Sequence, residues 1–358
     1  MKCYINGIGI ISPQRTFVNS EFLPEIKSYG NNILTCVTPD FKAYISPVQL
    51  RRLSRMLRIG MTAATICLND AGIKVPDGIV TSTGYGFLEE TEKFLKELLE
   101  RNEMQLTPTY FMQGTYNALA GLVALSVKCT GYNNTYVSKG FAFENALQDC
   151  MLLLKAKSNL NLLLGAYDES AAVQYTAGMR EHQFKKEPTN SLDIFKDKTD
   201  GCIQGESSSF FDLSGQPSPS TWCSVEGVQL VYLPDTVEEL KLAINSFLEN
   251  HHVPLNEIDL VVSGMSGCKS RDQLLENLEA TLFVNTPQVY FKHLCGEYCT
   301  ATSFGMWLAA SILKKQHIPE IVKASNHKFP GQVDTILLVS HYFNRNYSLM
   351  LLKRHESR

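Results

Sequence analysis

The sequence lacks the features that mark nucleic-acid-binding and membrane-spanning proteins. Basic residues never form a run longer than pairs such as Arg51-Arg52 and Lys185-Lys186, and the formal net charge is −3. Nucleic acid is therefore a poor candidate partner. No apolar run approaches the roughly 18 residues that a membrane-spanning helix needs. These absences argue against nucleic-acid and membrane-spanning roles, and the cytoplasm is the expected location.

Cysteine pairs with the spacing of metal or redox motifs are also absent. The ten cysteines are scattered along the 358 residues, and no two of them are separated by two positions. This scatter is typical of reduced, mostly buried thiols rather than of a disulfide framework. His293, Cys295 and Cys299 lie close together, but a fourth ligand with zinc-site spacing is missing. We therefore predict no metal site and no bound cofactor. We interpret the two thiols as core or helix-entry positions and His293 as a solvent-facing or hydrogen-bonded histidine.

What the sequence does contain is a segment that predicts a strand, a sharp turn and a helix. Tyr136 and Val137 end a β-rich run, residues 138–140 form a small polar corner, and residues 143–154 have the 3.6-residue apolar period of a buried helix. Unpaired N–H groups and the dipole at a helix N-terminus favour negative charge, so this geometry suits a thiolate nucleophile best. The residue at the tip of this elbow is Gly140, which has no side chain.

Strands and helices alternate on both sides of the elbow. β-branched or apolar runs predict strands at 4–11, 77–84, 160–165, 208–213, 222–233, 260–264, 334–341 and 347–353. Periodic segments predict helices at 47–70, 88–101, 236–250, 271–282 and 300–315, and residues 180–200 have the composition of a polar loop. Residues 215–220 give the strongest linker signal. The sequence therefore predicts an α/β protein with two similar halves, residues 1–214 and 221–358.

Six segments carry a resemblance to a known family when they are taken in order. They are residues 1–13, 63–72, 107–121, the elbow at 131–147, 165–170 and 199–206. Together they resemble the condensing enzymes, the β-ketoacyl-acyl-carrier-protein synthases of the thiolase superfamily. The resemblance implies a thiolase-like fold in which two similar α/β halves pack as a layered α-β-α-β-α sandwich.

The catalytic groups of that family are a cysteine, two histidines and a lysine. The cysteine takes the acyl chain as a thioester, and the histidines stabilise the enolate and oxyanion with the lysine nearby. The resemblance places the cysteine at Gly140, the first histidine at Gly264 and the second histidine at Glu297, whereas the lysine is retained as Lys292. The family's glycine-rich gate corresponds to residues 341–344, which read His-Tyr-Phe-Asn here.

Loss of the cysteine together with both histidines implies a catalytically degenerate member of the chain-length-factor type. Such proteins dimerise with an active synthase and shape its acyl tunnel. More narrowly, residues 108–113, Asn117 and residues 132–136 resemble synthase-like proteins of aryl-polyene and flexirubin-type pathways. The partners implied are an acyl carrier protein and a cysteine-containing synthase, or a second copy of this chain as a homodimer.

Two other functions stay open at this stage. One is an active acyltransferase with relocated catalytic groups, for which Cys268, Ser138, Lys292 and Glu297 are candidates. The other is a homodimer that binds a carrier protein or an acyl chain without reacting with it. The candidates for side chains at or near an acyl tunnel, with core packing as the alternative, are Phe111, Met112, Tyr136, Phe141 and Phe143.

Overall fold

The β-branched runs of the sequence form strands in the computed structural model, which describes residues 2–197, 199–324 and 328–356. The strands are β1 (Cys3–Ile11), β2 (Gly78–Thr83), β3 (Tyr132–Val137), β4 (Asn161–Asp168), β5 (Ser207–Ser214), β6 (Cys223–Tyr232), β7 (Leu260–Gly264), β8 (Gln288–Tyr290), β9 (Thr335–Tyr342) and β10 (Asn346–Arg354). Each predicted strand therefore has an observed counterpart within a few residues.

The periodic apolar segments form helices that connect these strands. The helices are α1 (Pro47–Leu50), α2 (Arg55–Ala71), α3 (Leu88–Glu100), α4 (Pro108–Gly114), α5 (Ala118–Val127), α6 (Ala142–Ala156), α7 (Ala172–Arg180), α8 (Val237–Asn250), α9 (Gln273–Thr281), α10 (Lys292–Cys295) and α11 (Thr302–Lys315). None of the helices in the described part of the chain is long and apolar enough to span a bilayer.

The same strand order occurs twice. The described strands form one sheet with the order β3-β2-β4-β5-β1-β6-β10-β9-β7-β8, so that β3-β2-β4-β5-β1 is repeated as β8-β7-β9-β10-β6. In each set the first three strands are parallel to one another and the other pairings are antiparallel. The two sets meet where β1 pairs with β6, with Ile5 opposite Cys223.

Among the described residues, three large apolar cores fill the spaces between five layers of structure. The central core joins α6 and α11 to the facing sides of both strand sets. A second core packs α2 and α5 against the outer side of the first set. A third packs α8 and α9 against the outer side of the second set. The predicted α-β-α-β-α sandwich is therefore confirmed, because helices cover each sheet surface and bury it from water.

A close approach of α2 to β1 depends on glycine in the strand. A methyl group on Gly9 would lie 2.1 Å from the carbonyl oxygen of Ala63 and 2.5 Å from the nitrogen of Cys67. Any larger residue at this position would push the helix away from the sheet. The Gly-x-Gly pattern in the first strand therefore serves helix packing.

The prediction of one helix over residues 47–70 is wrong, because the segment contains two helices. Pro47 begins α1, whose N-cap Ser46 accepts a hydrogen bond from the Gln49 amide. The chain then leaves the helical path, and the amide of Ser54 donates to Oε1 of Gln113 at 2.7 Å. A new helix begins at Arg55. The contact with α4 replaces the hydrogen bond that a continuous helix would have made.

The polar segment 180–200 is held against the body of the protein rather than free of it. Phe184 forms a bridge with Cys202. The Lys185 side chain is only 1% exposed, and its ammonium donates to Oγ1 of Thr199 at 2.9 Å and lies 3.3 Å from Oδ2 of Asp197. Lys198, which falls in the predicted loop, lies outside the described residues.

Candidate functional site

The elbow at Gly140 lies between an edge strand and a central helix. β3 ends at Val137, residues 139–141 form a single 3-10 turn, and α6 begins at Ala142. Lys139 adopts a left-handed conformation with φ of 48°, which turns the chain sharply into the helix. Ser138 accepts a hydrogen bond from the Asn145 amide at 2.9 Å. This bond ties the turn to the first part of the helix.

The side chain of Tyr342 fills the space next to Gly140. A methyl group at position 140 would lie 2.6 Å from Cβ and 2.6 Å from Cδ1 of Tyr342, well inside van der Waals contact. Tyr342 lies beside Tyr85 and Cys299, and burial raises the pKa of Tyr342 well above its ordinary value. Position 140 therefore offers neither a nucleophile nor room for one.

A buried ion pair lies on the other side of the candidate site. The Lys292 ammonium donates to Oε2 of Glu297 at 2.8 Å and to the carbonyl oxygen of His341 at 2.5 Å. Both side chains are 3% exposed or less. Burial raises the pKa of Glu297, although the Lys292 charge opposes this effect. The charge of Lys292 is thus neutralised by the Glu297 carboxylate.

A second buried pair joins His341 to Asp272. Nε2 of His341 lies 2.9 Å from Oδ1 of Asp272, and Nδ1 accepts a hydrogen bond from the Asn344 amide at 3.1 Å. We therefore assign the ring proton to Nε2, which donates to the carboxylate. Burial would raise the pKa of Asp272, but bonds from His341 and from the Ser266 amide lower it below the ordinary value. The imidazole is consequently held in one orientation, with both nitrogens occupied.

Gly264 ends β7 beside Ser340, its partner on β9. A methyl group at position 264 would lie 2.3 Å from Oγ of Ser340. A histidine at this position would need Ser340 to move. The structure thus brings Gly264, Lys292 and Glu297 close to β9. Tyr342, the last residue of β9, covers Gly140.

A cavity of about 1010 Å³ opens at the elbow. Its lining includes Ser138, Lys139, Tyr342, Ser270 and Arg271. Gly140 and the buried Lys292–Glu297 pair do not contribute to this lining. Tyr342 therefore lies between this cavity and Gly140, whereas the candidate Ser138 faces the cavity directly.

Comparisons with known proteins agree on one family. Residues 35–195 match the model of the β-ketoacyl synthase N-terminal domain. No curated protein is significantly similar to it in sequence. The resemblance to the condensing enzymes is thus confirmed by a sequence match.

Solved structures share the fold over the whole chain. The ishigamide ketosynthase/chain length factor has a TM-score of 0.80 at 15% identity and covers 99% of both chains. A ketosynthase bound to a hexaketide, in complex with a type II PKS acyl-carrier protein, has a TM-score of 0.78 at 12% identity over 99% of both chains. The ketosynthase ApeO in complex with its chain length factor ApeC, from Xenorhabdus doucetiae, scores 0.73 at 15% identity, covering 99% of this chain and 98% of the other. The thiolase-like ketosynthase fold is therefore confirmed.

The five aromatic and methionine candidates for the acyl tunnel lie in separate places on this ketosynthase fold. Phe111 and Met112 are on the surface of α4, 60% and 67% exposed, and Phe111 lines a groove of about 730 Å³ beside β3. Phe143 is fully buried in the central core, 6.0 Å from the Phe211 ring. Tyr136 packs at the margin of that core, and Phe141 lies 6.3 Å from the ring of Tyr232.

The remaining sequence candidates have defined partners in the fold. Nε2 of His293 is 3.0 Å from the carbonyl oxygen of Ile321, and burial lowers the pKa of His293 to about 4. Cys299 packs against the backbone of Gly84. Cys268 is 1% exposed, and its sulfur accepts a hydrogen bond from the Gly201 amide at 3.1 Å. Among the described residues, no group of three His, Cys, Asp or Glu side chains is arranged to hold a metal ion.

Sequence reasoning missed the two residues that close the site. The resemblance aligns His341 with a glycine and Tyr342 with the phenylalanine of the family's gate, and it predicts no contact for either side chain. Their contacts with Gly140 and Asp272 arise because β9 pairs in parallel with β7, and β10 returns beside it. The available signal was the loss of two flexible residues in favour of large side chains, which indicates that the gate volume is filled.

Proposed function

We propose that this chain is a non-catalytic, chain-length-factor-like subunit that pairs with an active β-ketoacyl synthase in fatty-acid or polyketide biosynthesis. The observation that carries this proposal is the occupied elbow, because position 140 has no nucleophile and the Tyr342 ring takes its space. A thioester cannot form at an elbow without a nucleophile.

The charges at the other catalytic positions support the same conclusion. An enolate or oxyanion is stabilised by preorganised hydrogen-bond donors and positive charge. Glu297 instead brings a carboxylate, and Gly264 brings no side chain. The one cation of the set, Lys292, is already bound to Glu297 and to the His341 carbonyl. Decarboxylation of a malonyl group would lack its stabilising groups here.

An open sheet edge supports pairing with another subunit. β3 and β8 are the two edges of the sheet. The outer side of β8 is covered, because Val289 bridges Lys323 and the Ala324 amide donates to the carbonyl oxygen of Gln288. Within the described residues no strand pairs with the outer side of β3. Unpaired edge strands are templates for addition of a strand from another chain.

The helix beside this edge supports the same assembly. α5 contains no charged residue from Ala118 to Val127, yet Leu125 is 77% exposed. On neighbouring elements Phe111, Met112 and Val137 are also exposed. An apolar helix is normally buried, and clustered exposed apolar residues mark interaction sites. We therefore assign the surface formed by β3, α4 and α5 to the partner synthase or, in a homodimer, to a second copy.

A cationic groove shares Met112 and Leu125 with this surface, and we assign its arginine-lined part to an anionic partner, the acyl carrier protein. The groove has a volume of about 1180 Å³ and is lined by Arg51, Arg52, Arg55, Arg58 and Lys93. Glu206 neutralises Arg55, and Glu90 neutralises Lys93, so three arginines remain to attract negative charge. The aryl-polyene type of pathway is part of the proposal and is supported by the resemblance at residues 108–113 and 132–136.

Intact-protein mass spectrometry tests the proposal. The chain is incubated with acyl- and malonyl-carrier protein, alone and with a candidate synthase from the same organism. We expect no adduct and no loss of CO₂ with the chain alone, together with a stable complex that changes the product length of the synthase. Acylation or decarboxylation by the isolated chain would instead favour an acyltransferase with relocated groups. Carrier-protein binding without a synthase partner would favour the homodimer.

A further inference from the structure

Two buried cysteines, Cys202 and Cys268, lie close together in the fold. Each thiol is near enough to change the pKa of the other. They also share neighbours: Gly201, which precedes Cys202, donates its amide to Sγ of Cys268 at 3.1 Å, and Nη1 of Arg271 lies 3.8 Å from Sγ of Cys202. All ten cysteines of the described chain are free thiols.

The surroundings of Cys268 stabilise a thiolate. Its sulfur accepts a hydrogen bond from the Gly201 amide at 3.1 Å and lies 3.7 Å from the Ser270 hydroxyl. The neighbouring Cys202 thiol, followed by these donors, lowers the pKa of Cys268 to about 5 despite burial. The carboxylate of Asp200, 3.9 Å away, acts in the opposite direction, but it is itself bound by the Ser270 amide at 2.9 Å.

Another cysteine pair in the chain shows that proximity alone does not create these conditions. Cys3 and Cys223 lie on the paired strands β1 and β6, offset by two residues. Both are fully buried. Burial raises the pKa of Cys3 to about 12 and raises that of Cys223 as well. This second pair has no thiolate at neutral pH and serves as an internal reference.

We propose that Cys268 and Cys202 form a reversible disulfide when the protein meets a hydroperoxide. The Cys268 thiolate attacks one peroxide oxygen, the O–O bond breaks, and a sulfenic acid and hydroxide form. The Cys202 sulfur then attacks the sulfenic sulfur, the S–O bond breaks, and water leaves with the Cys202 proton. One hydrogen peroxide is thereby reduced to water and hydroxide while two sulfurs are oxidised to a disulfide.

The position of the pair links its oxidation to the elbow cavity. Cys268 lies directly below the exposed residues Lys269 and Ser270, and Ser270 and Arg271 line that cavity. The Arg271 guanidinium also packs 4.4 Å from the centre of the Phe343 ring. A new covalent bond at Cys268 therefore shifts the wall of the cavity. The inference goes beyond the proposed function and does not depend on it.

Mass spectrometry of the full chain after treatment with hydrogen peroxide tests the site. We expect a loss of 2 Da, about the mass of two hydrogens, a cross-linked peptide that contains Cys202 and Cys268, and full reversal by dithiothreitol. Between pH 6 and pH 8 the oxidation rate should change less than about twofold, whereas an ordinary thiol becomes about 100-fold faster. Absence of the cross-link, or a cross-link through Cys3 and Cys223, would overturn the proposal.

Two variants separate the attacking sulfur from the resolving sulfur. Cys202→Ser keeps a hydrogen-bond donor but removes the resolving sulfur, so Cys268 should accumulate as a sulfenic acid that dimedone traps. Cys268→Ser should give neither the cross-link nor a dimedone adduct at Cys202. The partly exposed Cys129 supplies the control, and Cys129→Ser should keep the cross-link. A dimedone adduct on Cys202 in the Cys268→Ser variant would contradict the assignment. The rate measurement on the unmodified chain decides the matter if a variant does not fold.

Discussion

The aromatic ring of Tyr342 lies where a side chain at position 140 would have to project, with a distance of 2.6 Å from a methyl group at Gly140 to Cβ of Tyr342. The two residues lie far apart in the sequence, yet the presence of each accounts for the other. Glycine allows the ring to enter, and the ring fills the volume that glycine leaves. Because the Tyr342 ring fills this volume, a cysteine introduced at position 140 alone would lack room.

Replacement of Gly140 by alanine should therefore destabilise the protein. Overpacking a buried site typically costs about 1–3 kcal/mol, and we expect this loss in the free energy of unfolding measured with denaturant. The same substitution should cost less in a Tyr342→Ala background, because the ring is gone and contacting positions are not additive. Gly30→Ala is the control, since a methyl group there meets nothing within 4 Å. Equal losses at positions 30 and 140 would refute the steric argument.

Removal of the Lys292 charge should be more damaging. Lys292→Met leaves the Glu297 carboxylate buried without its cation, and breaking a buried ion pair in this way costs about 3–5 kcal/mol. The double variant Lys292→Met/Glu297→Gln should recover part of that loss, as judged by denaturant unfolding. Lys96 and Glu100 form an exposed pair at 3.9 Å, so Lys96→Met should have little effect. If Lys292→Met loses little unfolding free energy, water must reach the Glu297 carboxylate.

The assigned partner surface can be tested by placing a charge on it. Leu125→Glu puts a carboxylate in the middle of the apolar α5 face and should weaken the complex with the synthase, or the homodimer, by at least about tenfold, since a buried unpaired charge is costly. Light scattering after size-exclusion chromatography measures this. Leu242 on α8 is 69% exposed and lies away from β3, so Leu242→Glu should leave assembly unchanged. If the two variants assemble equally well, this surface does not bind the partner.

Elements with a strong local period could be predicted from the sequence. The elbow helix, expected over 143–154, spans Ala142–Ala156, because the apolar period of one helix reports directly which of its faces is buried. The split between α1 and α2 could not be predicted, since it depends on Gln113 of a distant helix binding the Ser54 amide. The division of the chain at residues 215–220 stays a prediction.

The candidate site could be predicted in part. The resemblance selected Gly140, Gly264, Lys292 and Glu297, and Lys292 and Glu297 form a pair, because one short segment carries both. The contact of His341 with Asp272 was not accessible, since it requires the pairing of β7 with β9. The sequence indicates a reactive thiol at Cys268 only weakly. The effect of Cys202 and Gly201 on its sulfur depends on the path of residues 180–202 across the surface, which a single sequence does not show.

Asp212 should make stability fall as the pH rises from about 4 to about 7. Its carboxylate is fully buried on β5, neither oxygen has a hydrogen-bond partner, and burial, with Asp77 nearby, raises its pKa to about 7. Over this window the folded state keeps a proton that the unfolded state releases. Folding therefore binds a proton, and the free energy of unfolding falls by about 1.4 kcal/mol per pH unit. Asp212→Asn should flatten the pH dependence of the unfolding free energy by that slope between pH 5 and 6.5. The exposed Asp235 is the control, and Asp235→Asn should keep the slope of the unmodified chain. An unchanged slope in Asp212→Asn would show that the Asp212 carboxylate is ionised in the folded protein.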